Sequence, residues 1–155
     1  MSYDRADLDY STEEQPLPKG HAATHIGMFL AWAATHGLLN EFHEKQSPEL
    51  VAHLRARQLT GRQFFEAACK EQFAEKDLTV EGNAFAEHYY RDLSGKRGPY
   101  FEDYKKTLAR GLPSFYHVAD TWQNYAKLEP VITARYESWK NPPKKRWWQF
   151  WKRAG

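Results

Sequence analysis

The sequence predicts an all-α fold: a compact single-domain bundle of six or seven helices, with room for short extended pieces near residues 95–103. Three observations lead there. The segment 21–36 is apolar on almost every side, as the central helix of a domain is. Helix-start signals recur at Ser47-Pro48, at Thr60-Gly61-Arg62-Gln63 and at Thr79. No stretch keeps up the alternation of apolar and polar residues that a half-buried strand needs. A chain of 155 residues is long enough to bury a substantial core in one domain.

The elements follow in order. Residues 1–19 read as an acidic arm ending in Pro16 and Pro18; up to Gln15 it holds Asp4, Asp7, Asp9, Glu13 and Glu14 against one Arg5. Gly20 opens the central helix and Gly37 stops it; Ile26, Phe29, Leu30, Trp32 and Ala33 lie within it. Ser47 caps a helix with Pro48 at its first position, which buries Leu50, Val51 and Leu54. Thr60 and Gln63 form a capping box, with Phe64, Phe65, Ala68 and Phe73 turned inward. Thr79 caps the next helix, through Phe85, His88, Tyr89 and Leu93. Residues 94–99 are a basic, Gly-rich loop. Tyr100, Tyr104 and Leu108 recur at helical spacing until Gly111 and Pro113. Phe115, Val118, Trp122 and Tyr125 define a further helix, which Pro130 breaks or kinks before residues 131–139. Pro142-Pro143 then detaches a tail. The expected division is an acidic arm at 1–19, a helical domain at 20–140 and a basic, Trp-rich tail at 141–155.

Charge separates the tail from the body. The formal net charge is +2, but residues 140–155 carry six basic side chains and no acid, which leaves about −4 on residues 1–139. A body of that sign is not built primarily to bind nucleic acid. The tail also holds Trp147, Trp148, Phe150 and Trp151, and three roles fit it. It can dock on the acidic body or grip a protein partner through its Trp side chains. It can lie in a membrane interface, or it can stack on nucleic acid. The first matches the charge split and is the one expected; stable nucleic-acid binding is not.

Composition excludes several classes. The single Cys69 rules out an intramolecular disulfide and a Cys-rich zinc site, and its helical setting suits a buried, inert thiol. The N-terminal charge is wrong for an export leader. The longest apolar run, residues 26–34, is about half of what a bilayer crossing needs. The cytosol is the expected location.

Little in the sequence carries catalytic chemistry. His21 and His25 stand one helical turn apart, a spacing that can chelate a metal, yet the zincin pattern wants Glu where Ala22 stands. Glu87 and His88 are adjacent, so on a helix they point about 100° apart. His25 therefore reads as a buried polar anchor, with Trp32 and Trp122 as core residues. There is neither a Gly-x-Ser-x-Gly elbow nor a Walker loop, so no cofactor is expected and no enzyme. The groups left for partner binding are the acids of the arm, with Glu102 and Asp103, and Tyr100 as an aromatic anchor.

Three stretches carry a resemblance: Ala22-Ala23-Thr24-His25-Ile26-Gly27-Met28-Phe29-Leu30-Ala31-Trp32, Leu59-Thr60-Gly61-Arg62-Gln63-Phe64, and residues 114–125, beginning Ser114-Phe115-Tyr116-His117. Over roughly residues 3–140 the chain resembles a family of uncharacterised bacterial cytosolic proteins that accompany polymorphic toxins, including Rhs-type and type VI secretion effectors. The resemblance implies an immunity protein that binds a cognate toxin and blocks it; no functional residues carry over. An acidic body would suit a basic toxin such as a nuclease, through complementary potential. Two rivals remain at this level. One is an enzyme with a metal held by histidines; the other is an accessory protein that uses its tail on membranes or nucleic acid.

Overall fold

The computed structural model describes residues 1–6, 20–91 and 95–142. Among these, seven α-helices and one two-stranded sheet form an all-α domain. Helix α1 (Thr24–Thr35) runs through the middle, entered by a 3-10 turn at His21–Ala23. From Thr24 to Ala34 every residue of α1 is buried, as its all-round apolarity requires. Gly37, at φ 71°, turns the chain out of it, a conformation that only Gly adopts without strain.

Helix α2 (Glu41–Gln46) starts at Asn40, whose side chain accepts from Phe42 N–H. Helix α3 (Pro48–Arg55) has Pro at its first position and buries Val51 and Leu54; the Ser47 side chain makes no capping bond. Helix α4 (Gly61–Ala68) is held by both arms of the Thr60/Gln63 capping box. It crosses α1 with almost no separation: a Cβ on Gly61 would overlap the carbonyl of Gly27, and one on Gly27 would overlap the Arg62 backbone. Two glycines facing each other let the helices meet backbone to backbone. Phe64 and Phe65 then drop fully into the core, each worth about 1.5–3 kcal/mol of burial.

Strand β1 (Ser2–Arg5) pairs antiparallel with β2 (Gln72–Ala74), Asp4 opposite Phe73 and Arg5 opposite Gln72. The expected acidic arm is thus, at its first six residues, part of the domain. Near residues 95–103, where the sequence leaves room for an extended piece, an isolated Arg91–Arg97 bridge occurs. Helix α5 (Val80–Tyr89) is capped by Thr79, as the sequence predicts, and buries Phe85 and Tyr89 while His88 faces solvent. Helix α6 (Pro99–Leu108) buries Tyr100 and Tyr104.

Phe115 to Tyr125 do not share one helix. Ser114 caps a 3-10 turn at Phe115–His117, and Thr121 separately caps α7 (Trp122–Lys140). Two caps seven residues apart override the apolar spacing. Pro130 does not break α7, which runs through it. Pro130 and Ala126 both face solvent, so water can take the Ala126 carbonyl that lacks a donor. No helix among the described residues is long and apolar enough to cross a membrane.

Candidate functional site

His21 and His25 go to different partners. His21 Nδ1 meets the Tyr116 carbonyl at 3.1 Å, while His25 Nε2 lies 3.0 Å from Asp4 Oδ2. His25 is buried, boxed by the rings of Phe101, Tyr104, Phe115 and Tyr116 at 5.2–6.1 Å between centroids. Tyr100 donates its hydroxyl to the His25 carbonyl at 2.6 Å. Asp4 also accepts from Tyr90 Oη at 2.7 Å and from the Arg5 N–H. Burial alone would push the Asp4 carboxyl up, but the bond and charge of His25, with Tyr90 and Arg5, hold it below the usual carboxylate range.

Three of the expected partner-binding residues are therefore corrected. Asp4 is inside, because strand pairing swings it toward His25. Tyr100 is fully buried, since helical spacing aims it and Tyr104 at the core together. Asp103 is buried under a bidentate bond from Arg135, at 2.8 and 3.0 Å, and accepts from Tyr89 Oη at 2.7 Å. Glu102 does face solvent, 3.5 Å from Lys105. Asp7, Asp9, Glu13, Glu14, Trp147, Trp148, Phe150 and Trp151 lie outside the described residues. Trp32 is in the core, its Nε1 donating to Thr133. Trp122 is half-buried, with the Arg57 guanidinium 5.2 Å from its ring centroid.

An open groove of about 480 Å3 is lined by Gly37, Leu39, Asn40, Glu41, Glu44, Arg55 and Thr79. Its floor is two connectors laid antiparallel: Thr79 N–H donates to Leu38 O at 2.8 Å, and Asn40 N–H to Asp77 O at 2.9 Å. Arg55 forms one wall, bonding the Ala34 carbonyl at the end of α1 through Nε and Glu44 through Nη2 at 2.7 Å. Glu41, on the rim, is three-quarters exposed. Phe42 is next in sequence to Glu41, and Val80 next to Thr79. They are two of the large apolar side chains that stand in solvent, at 44% and 90% exposure. The groove is open and more polar than apolar, with these two exposed apolar residues next in sequence to its lining.

Beneath the groove sits a cluster that the sequence did not announce. Among the described residues, His43, Cys69 and Asp77 are the one grouping of three side chains with metal-ligand chemistry, and all three are buried. The positions are 26 and 8 residues apart on separate elements, so no spacing motif could have joined them.

A family model matches residues 2–118, from β1 to just past the 3-10 turn at Phe115–His117. The chain belongs to the family described as domain of unknown function DUF7832. The DUF7832 span contains the groove, the buried His43 cluster and the Asp4–His25 pair. Helix α7 lies beyond it, yet covers Trp32 and ties down Asp103. No curated protein and no solved structure matches the chain.

Proposed function

We propose that this chain is a non-enzymatic immunity protein of the bacterial cytosol, which neutralises a cognate secreted toxin of the Rhs or type VI kind by covering its active surface. The observation that carries the reading is where the reactive side chains that cluster or bond to one another lie. His25, His43, Asp77, Cys69 and Asp103 are all inside the domain and bonded or packed within it. The outside offers a polar groove with Phe42 and Val80 beside it, which suits a protein partner better than a small substrate. The net negative charge of the body favours a basic partner, a nuclease domain for example, and would speed its association.

The test is co-expression with the toxin domain encoded next to this gene. The expected result is a stable complex and survival of the host. Phe42→Glu with Val80→Glu should weaken the complex by tenfold or more, and Val80→Glu alone should weaken it with the melting temperature nearly unchanged. A toxin that kills regardless, with no complex recovered, removes the immunity reading. Binding that survives the double variant keeps immunity but moves the contact face elsewhere.

A further inference from the structure

We infer that His43, Cys69 and Asp77 form a binding site for one divalent zinc-class ion, held under the groove and tying α2 to the turn after β2. The proposal does not depend on the immunity reading.

The donor atoms are of three kinds, imidazole nitrogen, sulfur and carboxylate oxygen, and all lie within 4.8 Å of one another. A tetrahedral ion with bonds of about 2.0–2.3 Å needs donors roughly 3.3–3.8 Å apart, so sub-ångström to one-ångström movements would complete the set. His43 Nε2 and Asp77 Oδ1 now stand 2.8 Å apart and would open slightly.

The second observation is that these donors are aimed. Asp77 Oδ2 is taken by the Ala74 N–H at 2.8 Å, which fixes the carboxylate so that Oδ1 turns to His43. A ligating carboxylate pinned from behind by a backbone donor is the usual outer support of a metal centre. The His43 ring is held edgewise by Phe42 and Phe64, each 5.3 Å between centroids. Asp77 is wholly buried, and a carboxylate in that setting is stabilised by a cation beside it.

Proton balance is simple. The Cys69 thiol, pushed up by burial and by the Asp77 charge, loses its proton to solvent as the sulfur–metal bond forms. His43 presents its Nε2 lone pair by moving the ring proton to Nδ1. Three protein donors leave one position of a tetrahedral set to be filled from outside the cluster. Zinc fits this mixed set better than magnesium or calcium, which prefer oxygen alone.

The experiment is a Co2+ titration of the chelator-stripped full chain, followed by Zn2+. The expected result is one Co2+ per chain, tetrahedral d–d bands, sulfur-to-cobalt charge transfer, release of at least one proton and displacement by Zn2+. Cys69 is the chain's single cysteine, so that charge-transfer band identifies it even if variants fold poorly. Cys69→Ala should abolish the band and the metal-dependent rise in melting temperature; His53→Gln, an exposed histidine, should leave both intact. A parent protein without the charge-transfer band, or one whose melting temperature ignores both metals, overturns the site.

Discussion

Replacing Asp4 by Ala removes the acceptor for two buried donors at once. His25 Nε2 and Tyr90 Oη both point at Asp4 Oδ2, at 3.0 and 2.7 Å. His25 is 1% exposed and Tyr90 2%, so neither donor has ready access to water once the carboxylate is gone. An orphaned buried donor costs about 1–3 kcal/mol. The Asp4 side chain is itself 15% exposed, so a water can enter the vacated space and satisfy one of them. The net expectation is a loss of about 1–3 kcal/mol, the cost of the one donor left over. For a domain of this size that is roughly 2–12 °C in melting temperature.

The pH dependence gives the sharper check. Asp4 has a folded-state pKa below its ordinary value of 3.8, because His25, Tyr90 and Arg5 favour the charged form more than burial opposes it. A depressed carboxylate contributes stability that is fully present above its ordinary value and is lost as pH falls through the folded one. The parent should therefore lose stability progressively below about pH 4, and Asp4→Asn, which cannot ionise, should lose less over the same range. Chemical denaturation of parent, Asp4→Ala and Asp4→Asn between pH 3 and 7 measures both effects. An Asp4→Ala protein as stable as the parent, with the same acid limb, would refute the claim that β1 is latched through His25.

Three further outcomes follow from the geometry. Gly61→Ala should destabilise by about 3 kcal/mol or more, or abolish folding, because its Cβ would strike the Gly27 carbonyl; equilibrium denaturation followed by circular dichroism reads it. Asp103→Ala should cost about 1–3 kcal/mol by stranding the buried Tyr89 hydroxyl, while Arg135→Ala should cost less, since that side chain is half exposed and its charge is screened; paired melts separate them. Val80→Glu alone should shift stability by no more than about 0.5 kcal/mol, because the side chain is 90% exposed; a larger loss in a thermal melt means that Val80 packs on something.

What could be read in the chain was local. The capping box at Thr60/Gln63, the Thr79 cap and the all-round apolarity of α1 each act within a turn or two, and each stands in the structure. What escaped was long-range. Strand β1 pairs with residues about 70 positions later, and a hexapeptide that leads into an acidic stretch suggests a solvated arm when read alone. Asp4, Tyr100 and Asp103 look like surface groups because their types are usually exposed or adaptable. Each instead finds a partner that no window can supply: His25 for Asp4, the His25 carbonyl for Tyr100, and Arg135 for Asp103. His43 and Asp77 carried no signal for the same reason.

The aromatic surplus has a use beyond bulk. Tyr100 stacks on Tyr90 and meets Tyr89 and Phe29 edge to face, while Tyr89 stacks on Phe85, and together they fill the space between α1, α5 and α6. Tyr89, Tyr90 and Tyr100 each also carry a hydroxyl to one buried acceptor: Asp103, Asp4 and the His25 carbonyl respectively. Burial pushes all three phenols well above their ordinary value, so they stay neutral donors throughout the physiological range. A Phe in their place would pack nearly as well but would leave a carboxylate or a carbonyl short of a donor. Those bonds join β1 to α5, α6 to α1, and, through Asp103 and Arg135, α5 to α7. The helices α1 and α5, whose ends reach the groove, are thereby tied into one core. If the proposed partner docks there, that side of the groove is already ordered and adds little ordering cost to binding.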